Sequence, residues 1–227
     1  MEMIYISMVS KNKLHIITPF SRPENFCNLF KNFKGFDSWT LIFSEDQYNS
    51  FIRDDIRNEL SDKEIFPMIA KNLGKVDGAY PYRKINRMIE SFDGNDGGIN
   101  DEDYYIILCD DDGIPEGLID EIKNHNEDVL VVSLKRGDSI PKDAICKHGI
   151  STLLACPENM VVGKCGCMQA IVKGKVLRKI RFNENVSHAD GLMMEWLAKN
   201  YKVTYLPELF INFNYFQPGR WKNGRKE

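Results

Sequence analysis

Three consecutive carboxylates, Asp110, Asp111 and Asp112, close the apolar run in YYIILCDDDG, residues 104–113. Like charges at the end of a buried strand repel one another, and a divalent cation makes such a cluster favourable. Mg²⁺ and Mn²⁺ both prefer carboxylate oxygens, keep several waters, and commonly share their remaining positions with substrate phosphates. The residue types therefore point to a metal and a diphosphate-bearing substrate, without separating Mg²⁺ from Mn²⁺. A simpler role is open to part of the run. Pro115 suits a first helical turn, and acidic side chains there complement the helix dipole. One aspartate is enough for capping, so three in a row favour a ligand site.

Such a cluster needs a sheet to deliver it. LHIIT, residues 14–18, predicts a buried strand, Ser21 with Glu24 resembles a capping box opening a helix through about Phe33, and residues 39–43 predict a second strand. Strand, helix, strand at this spacing is a βαβ unit, which favours a parallel sheet that binds ligands at the carboxyl ends of its strands. Residues 45–73 read as two short helices broken near Ser61 and Pro67. PYRKINRMIESF, residues 81–92, predicts an amphipathic helix with Ile85, Met88, Ile89 and Phe92 on one face. Glycine-rich, acidic residues 93–103 read as a surface loop before the aspartate strand. Beyond it follow a helix near 116–126, a strand at 129–134, weaker strand patterns at 151–156 and 160–162, and at most a short helix in 170–180. DGLMMEWLAKN, residues 190–200, predicts a second amphipathic helix, with Leu192 and Trp196 and then Met193 and Leu197 paired for burial. A strand at 203–206 and an extended aromatic stretch at 210–216 complete the pattern.

With 227 residues and 43% apolar content, the chain is long enough for one substantial core, and the absence of a linker or repeat predicts a single domain over 1–227. A net charge of -3 argues against nucleic acid as partner. No apolar run approaches the roughly 20 residues needed to span a bilayer, and the first residues lack the layout of a signal peptide, so a cytoplasmic location is expected. Basic residues 220–226 suit a diphosphate, peripheral contact with an anionic membrane, or a solvated tail. The six cysteines show no paired CxxC modules and read as reduced thiols. Cys146, Cys156, Cys165 and Cys167 offer four thiolates to zinc, although structural zinc sites usually draw ligands from paired short loops.

The order of these motifs resembles the inverting, family-two-like GT-A glycosyltransferases, the group that includes the catalytic domains of cellulose, chitin and hyaluronan synthases. The likeness covers most of the chain. ITPFSRPENF, residues 17–26, looks like the family's first strand and nucleotide loop: Thr18 and Phe20 match its Thr-x-aromatic segment, and Arg22 follows. In IFSED, Asp46, with Glu45 beside it, matches an acidic residue near the base. The aspartate run resembles the DXD motif. That resemblance implies that Asp112 holds the metal bridging the donor phosphates, that Asp110 sits near the ribose or assists coordination, and that Asp111 is an auxiliary member. Asn86 and Arg83 match a helix near the nucleotide. Residues 166–197 resemble the acceptor side, a small-residue turn, an RKI-F-E connection and an acidic motif opening a long helix. The family usually has Glu-Asp there, the aspartate serving as base; here Ala189 replaces the glutamate and Asp190 matches the aspartate. Helix N-capping is a compatible role for Asp190. QPGRW, residues 217–221, matches QxxRW, with Arg220 and Trp221 near the donor diphosphate. Processive members carry transmembrane helices that this sequence lacks, which implies a non-processive transferase or one acting with a separate partner.

The resemblance implies a GT-A, Rossmann-like α/β fold, a mostly parallel sheet flanked by helices in three layers. Residues 1–113 would form the donor half, and 114–227 the acceptor half and C-terminal lid. It also implies transfer of a sugar from a nucleotide diphosphate sugar, most simply a UDP-sugar, to an acceptor hydroxyl of a glycan or glycoconjugate, with inversion and with Mn²⁺ or Mg²⁺ as cofactor. Asp190 would take the acceptor's proton and Arg220 would close over the diphosphate. Two other classes compete. A sugar-phosphate nucleotidyltransferase uses a related sheet but opens with a glycine-rich loop, whereas PFSRPEN has no glycine. A non-catalytic sugar- or nucleotide-binding module is favoured by Ala189 and disfavoured by the intact aspartates.

Overall fold

The computed structural model describes residues 12–22, 25–51, 60, 63–71, 80–92, 98–136, 146–147 and 152–213. Its first half runs β1 (Leu14–Pro19), α1 (Phe26–Asn32), β2 (Ser38–Phe43), α2 (Glu45–Phe51), β3 (Ile65–Ile69), α3 (Tyr80–Phe92) and β4 (Tyr104–Ile107). The second half runs α4 (Leu118–Ile122), β5 (Val129–Arg136), β6 (Cys146–Lys147), β7 (Thr152–Leu153), β8 (Ala170–Lys173), α5 (Gly174–Leu177), α6 (Ala189–Asn200) and β9 (Val203–Phe213).

The strands form one nine-stranded mixed sheet in the order β3-β2-β1-β4-β8-β5-β7-β6, with β9 alongside β5. β1 pairs in parallel with β2 and β4, and β2 pairs in parallel with β3. β8 runs antiparallel between β4 and β5, and β9 returns parallel to β5. The chain thus leaves β1 toward β2 and β3 on one side and comes back to β4 on the other. That reversal makes the carboxyl ends of β1 and β4 a topological switch point, the place where open α/β sheets bind ligands.

Side-chain alternation along the strands divides the core between the two faces. Ile16, Leu41, Phe43, Tyr104, Ile106, Leu130 and Val132 join Leu29 of α1 and Ile119 of α4 in one buried cluster. Their neighbours Ile17, Ile42, Tyr105, Ile107, Val129 and Val131 join Ile85 and Ile89 of α3, Leu177 of α5 and Met194 of α6 in the other. Helices on both faces explain why the inner strands read as continuous apolar runs rather than alternating ones.

Several expectations change. Residues 65–69 form a strand and not a helix: Pro67 interrupts the helical pattern, but β3 ends the sheet order, and an edge strand tolerates the missing donor. The expected capping box at Ser21 does not open α1, which begins at Phe26 with Asn25 at its N-cap. Residues 170–173 form the buried strand β8, before the short helix α5. Its four residues are all buried, too short a run to carry a period of its own. Between 151 and 162 the described strand is only Thr152–Leu153, and the two late extended stretches are one strand, β9, with a register irregularity opposite Val132 and Ser133.

Candidate functional site

The aspartate run leaves β4 as a tight turn held at both ends. The Asp112 N–H donates to the Cys109 carbonyl at 3.1 Å, and an Asp112 carboxylate oxygen accepts the Cys109 N–H at 2.9 Å. Upstream, the Asp110 carboxylate accepts the backbone N–H groups of Ser21 and of Arg22, the latter at 2.6 Å, while Asn25 donates its amide to the Asp110 carbonyl at 2.9 Å. Downstream, Gly113 forms an antiparallel bridge with Asn212 of β9, and the Ile114 N–H donates to the Asn32 side chain at 2.8 Å. The loops after β1 and β4 are therefore fastened together at the switch point. Ser21 and Arg22 direct their N–H groups to Asp110, which is why α1 starts later than its sequence signal.

All three carboxylates are buried, with Asp112 at 0% exposure. Arg22 bridges two of them, at 2.5 Å to Asp110 Oδ1 and 3.0 Å to Asp111 Oδ2, with its own side chain 41% exposed. Burial pushes the Asp110 carboxyl above its ordinary range, against the opposing pull of Arg22 and the two N–H donors. Burial also works against the Arg22 charge, but Asp110 and Asp111 outweigh it and hold the guanidinium above its usual value. Concentrated buried negative charge of this kind is costly unless cations and hydrogen bonds offset it.

Cys109 Sγ and carboxylate oxygens of Asp111 and Asp112 lie within 4.8 Å of one another. Burial, followed by the charge of Asp112, drives the Cys109 thiol well above its normal value and keeps it neutral. Two carboxylates beside a neutral thiol fit a hard divalent cation that completes its shell with water and phosphate oxygens. They do not form the thiolate set that structural zinc prefers. Among the described residues, Cys156, Cys165 and Cys167 form no such metal-ligand group.

Lys84 is a site residue that sequence reading passed over in favour of its neighbours Arg83 and Asn86. Fully buried on α3, its ammonium donates to the Phe20 carbonyl at 2.6 Å and to Gln47 Oε1 at 2.7 Å. Burial lowers its pKa to about 8, with Asp110 opposing the shift. The helical period had placed position 84 next to the apolar positions 85, 88 and 89. A lysine at the edge of that face was the available signal.

Asp190 lies in the first turn of α6, whose N-cap is His188, so its role is not capping. An Asp190 oxygen accepts the Gly191 N–H at 2.8 Å, and Tyr82 of α3, whose hydroxyl donates to the Ser187 carbonyl at 3.3 Å, lies beside the same carboxylate and favours its charged form. Burial raises the Asp190 carboxyl above its ordinary range, with the Gly191 hydrogen bond and Tyr82 pulling the other way. The 161–166 loop packs closely here: a Cβ on Gly191 would stand 2.9 Å from Val162 Cα, and one on Gly166 would stand 2.5 Å from Met168 Sδ and 3.3 Å from Asp190 Oδ2. The Cys167–Gln169 turn packs against both β4 and α6, and the charges of Asp190 and Asp112 add to the burial that drives the Cys167 thiol well above its normal value. The acidic turn after β4 and the start of α6 thus lie on either side of the Cys167–Gln169 turn.

The remaining predicted residues have definite places. Thr18 accepts the Trp39 indole N–H at 2.9 Å inside the core, and Phe20 meets Phe43 and Phe26 edge to face. Stacking a base on Phe20 would require its ring to leave the core. Asn86 is committed to the acceptor-side connection: its amide donates to the Phe182 carbonyl and Glu184, and its oxygen accepts the Phe182 N–H. Arg83 pairs with Glu184 at 3.4 Å on the same side. Asp46 is exposed in the first turn of α2. Arg220, Trp221 and the basic tail lie outside the described residues. Among the described residues no helix is long and apolar enough to cross a membrane.

Comparison with protein-family models and with curated protein sequences gave no match.

Proposed function

We propose that the chain is a metal-dependent inverting glycosyltransferase of GT-A type, transferring a sugar from a nucleotide diphosphate sugar, most simply a UDP-sugar, to an acceptor hydroxyl of a glycan or glycoconjugate. A cytoplasmic location belongs to the same reading. The observation that carries it is the buried Asp111–Asp112 pair at the β1/β4 switch point, with a half-buried carboxylate, Asp190, nearby on a separate element.

Asp111 and Asp112 would hold Mn²⁺ or Mg²⁺. The metal would offset the charge that grows on the departing diphosphate, the main electrostatic demand of this reaction. Asp190 would receive the acceptor's proton. A carboxyl raised above its ordinary range by burial is a better proton acceptor. Asp110 acts through the loop that it fastens, and Lys84 holds the end of β1 while adding positive charge to the donor side.

Calorimetric titration of UDP with Mn²⁺, with EDTA and with Asp112→Ala tests the donor site. Binding that needs both metal and Asp112 supports it; UDP binding indifferent to both overturns it. A non-catalytic nucleotide-binding module is the second reading, favoured by Ala189, which is 1% exposed in the core where the family pattern has a glutamate. Metal-dependent UDP binding without turnover of any UDP-sugar selects that reading.

A further inference from the structure

Arg22 is in an unusual position for a residue that only closes a loop. Its backbone N–H is pinned to Asp110, so its Cα cannot travel, yet its guanidinium is 41% exposed and spans Asp110 and Asp111. The Asp111 oxygen it engages belongs to the same carboxylate that stands within 4.8 Å of the Asp112 and Cys109 ligand atoms. A divalent ion and a guanidinium cannot both sit close to one carboxylate without strong repulsion, because each unit of like charge in a poorly solvated site costs several times what it costs in water.

We propose that Arg22 is an exchangeable counter-cation: it occupies Asp111 until a divalent ion arrives, then pivots about its Asp110 anchor and presents its guanidinium to the donor's diphosphate. This deepens the glycosyltransferase reading and rests on it for the identity of the anion. The planar fork suits the exchange, since it pairs with a carboxylate or with phosphate oxygens through the same donors. Metal loading and diphosphate binding are then coupled in the order metal first, through one side chain and with no movement of the sheet.

The exchange makes two affinities move in opposite directions when the cation is removed. In Arg22→Gln, Mn²⁺ alone is expected to bind about three- to tenfold more tightly, and UDP at saturating Mn²⁺ about tenfold more weakly, as for a partly exposed charge pair. Mn²⁺ binding is read by calorimetry and by the electron paramagnetic resonance signal of the free ion, neither of which needs turnover. Arg22→Lys guards against loss of the loop: it keeps a positive charge at Asp110 but no fork to span both carboxylates, and the same tightening of Mn²⁺ is expected. Unchanged or weaker Mn²⁺ binding in either folded variant, with UDP still bound by wild type, overturns the exchange and leaves the transferase reading standing. Tighter Mn²⁺ with no UDP binding by any form supports the exchange and removes the UDP assignment. No Mn²⁺ binding by wild type overturns both.

Discussion

The two ends of the parallel strands handle buried charge in opposite ways. At the amino end, His15 meets Ser38 Oγ at 2.6 Å and Asp103 at 3.2 Å and stacks on Tyr105, while Asp37 accepts the Leu14 N–H and pairs with Lys123 at 2.6 Å. Burial would raise the Asp37 carboxyl, but Lys123 and the Leu14 N–H more than offset it and hold it below the ordinary range. At the carboxyl end Asp110 has comparable donors, yet burial wins and its carboxyl is raised. Side-chain exposure separates the two, 30% for Asp37 against 3% for Asp110. The amino end closes on itself, whereas the carboxyl end concentrates carboxylates where solvent cannot screen them.

That contrast breaks most sharply at Asp190. Asn in its place is expected to lower kcat by about 10²–10⁴-fold while leaving metal-dependent UDP binding intact, as loss of a general base does. Equal loss of both would make Asp190 a binding group. Next comes Asp112→Asn, which keeps an oxygen to accept the Cys109 N–H and so keeps the turn. UDP affinity in Mn²⁺ is expected to fall by about 10²–10³-fold, the scale of losing one preorganised charge partner, with the melting temperature unchanged or higher without metal.

Stability gives the middle of the range. Asp110→Ala strands the Ser21 and Arg22 N–H groups and is expected to cost about 2–4 kcal/mol in chemical denaturation. Asp103→Asn, at the self-contained end, is expected to cost under about 1 kcal/mol. Equal costs would erase the distinction between the two ends.

Two pH effects sharpen it further. Tyr82 lies beside Asp190 and opposes the rise of its carboxyl, so Tyr82→Phe removes an interaction that favours the carboxylate. The acid limb of kcat/KM is then expected at higher pH than in wild type. Lys84 is the smallest effect. Its pKa falls to about 8 in the folded protein from an ordinary 10.5, so the unfolded chain binds the extra proton between those values. Wild-type stability should therefore gain with rising pH across that window relative to Lys84→Met, read as the difference between their denaturation curves at pH 8 and pH 10.

Local signals located β1, β2, α3, β4, β5 and α6, because each carries a run or period that survives without its neighbours. Strand β8 was not legible: four buried residues inside a mixed stretch become a strand through pairing with β4 and β5. Pro67 misled for the same reason, since its tolerance depends on β3 being an edge. The acidic turn was visible as residue types, but not the division of labour within it.

From sequence alone came the α/β class, the parallel start of the sheet, the three-aspartate cluster at the end of a buried strand, and Asp190 as a second carboxylate at the head of a helix. Those rest on chain-local chemistry: charge repulsion, hydrophobic period and strand length. Only the tertiary structure decided that Asp110 serves the β1 loop, that Thr18 and Phe20 belong to the core, that Asn86 and Arg83 serve the acceptor connection, and that Lys84 and Tyr82 border the site. Each of those depends on which groups meet across the fold, from 21 residues apart for Thr18 and Trp39 to 96 for Asn86 and Phe182. Burial and pairing at such separations follow from the sheet order, which no local pattern encodes.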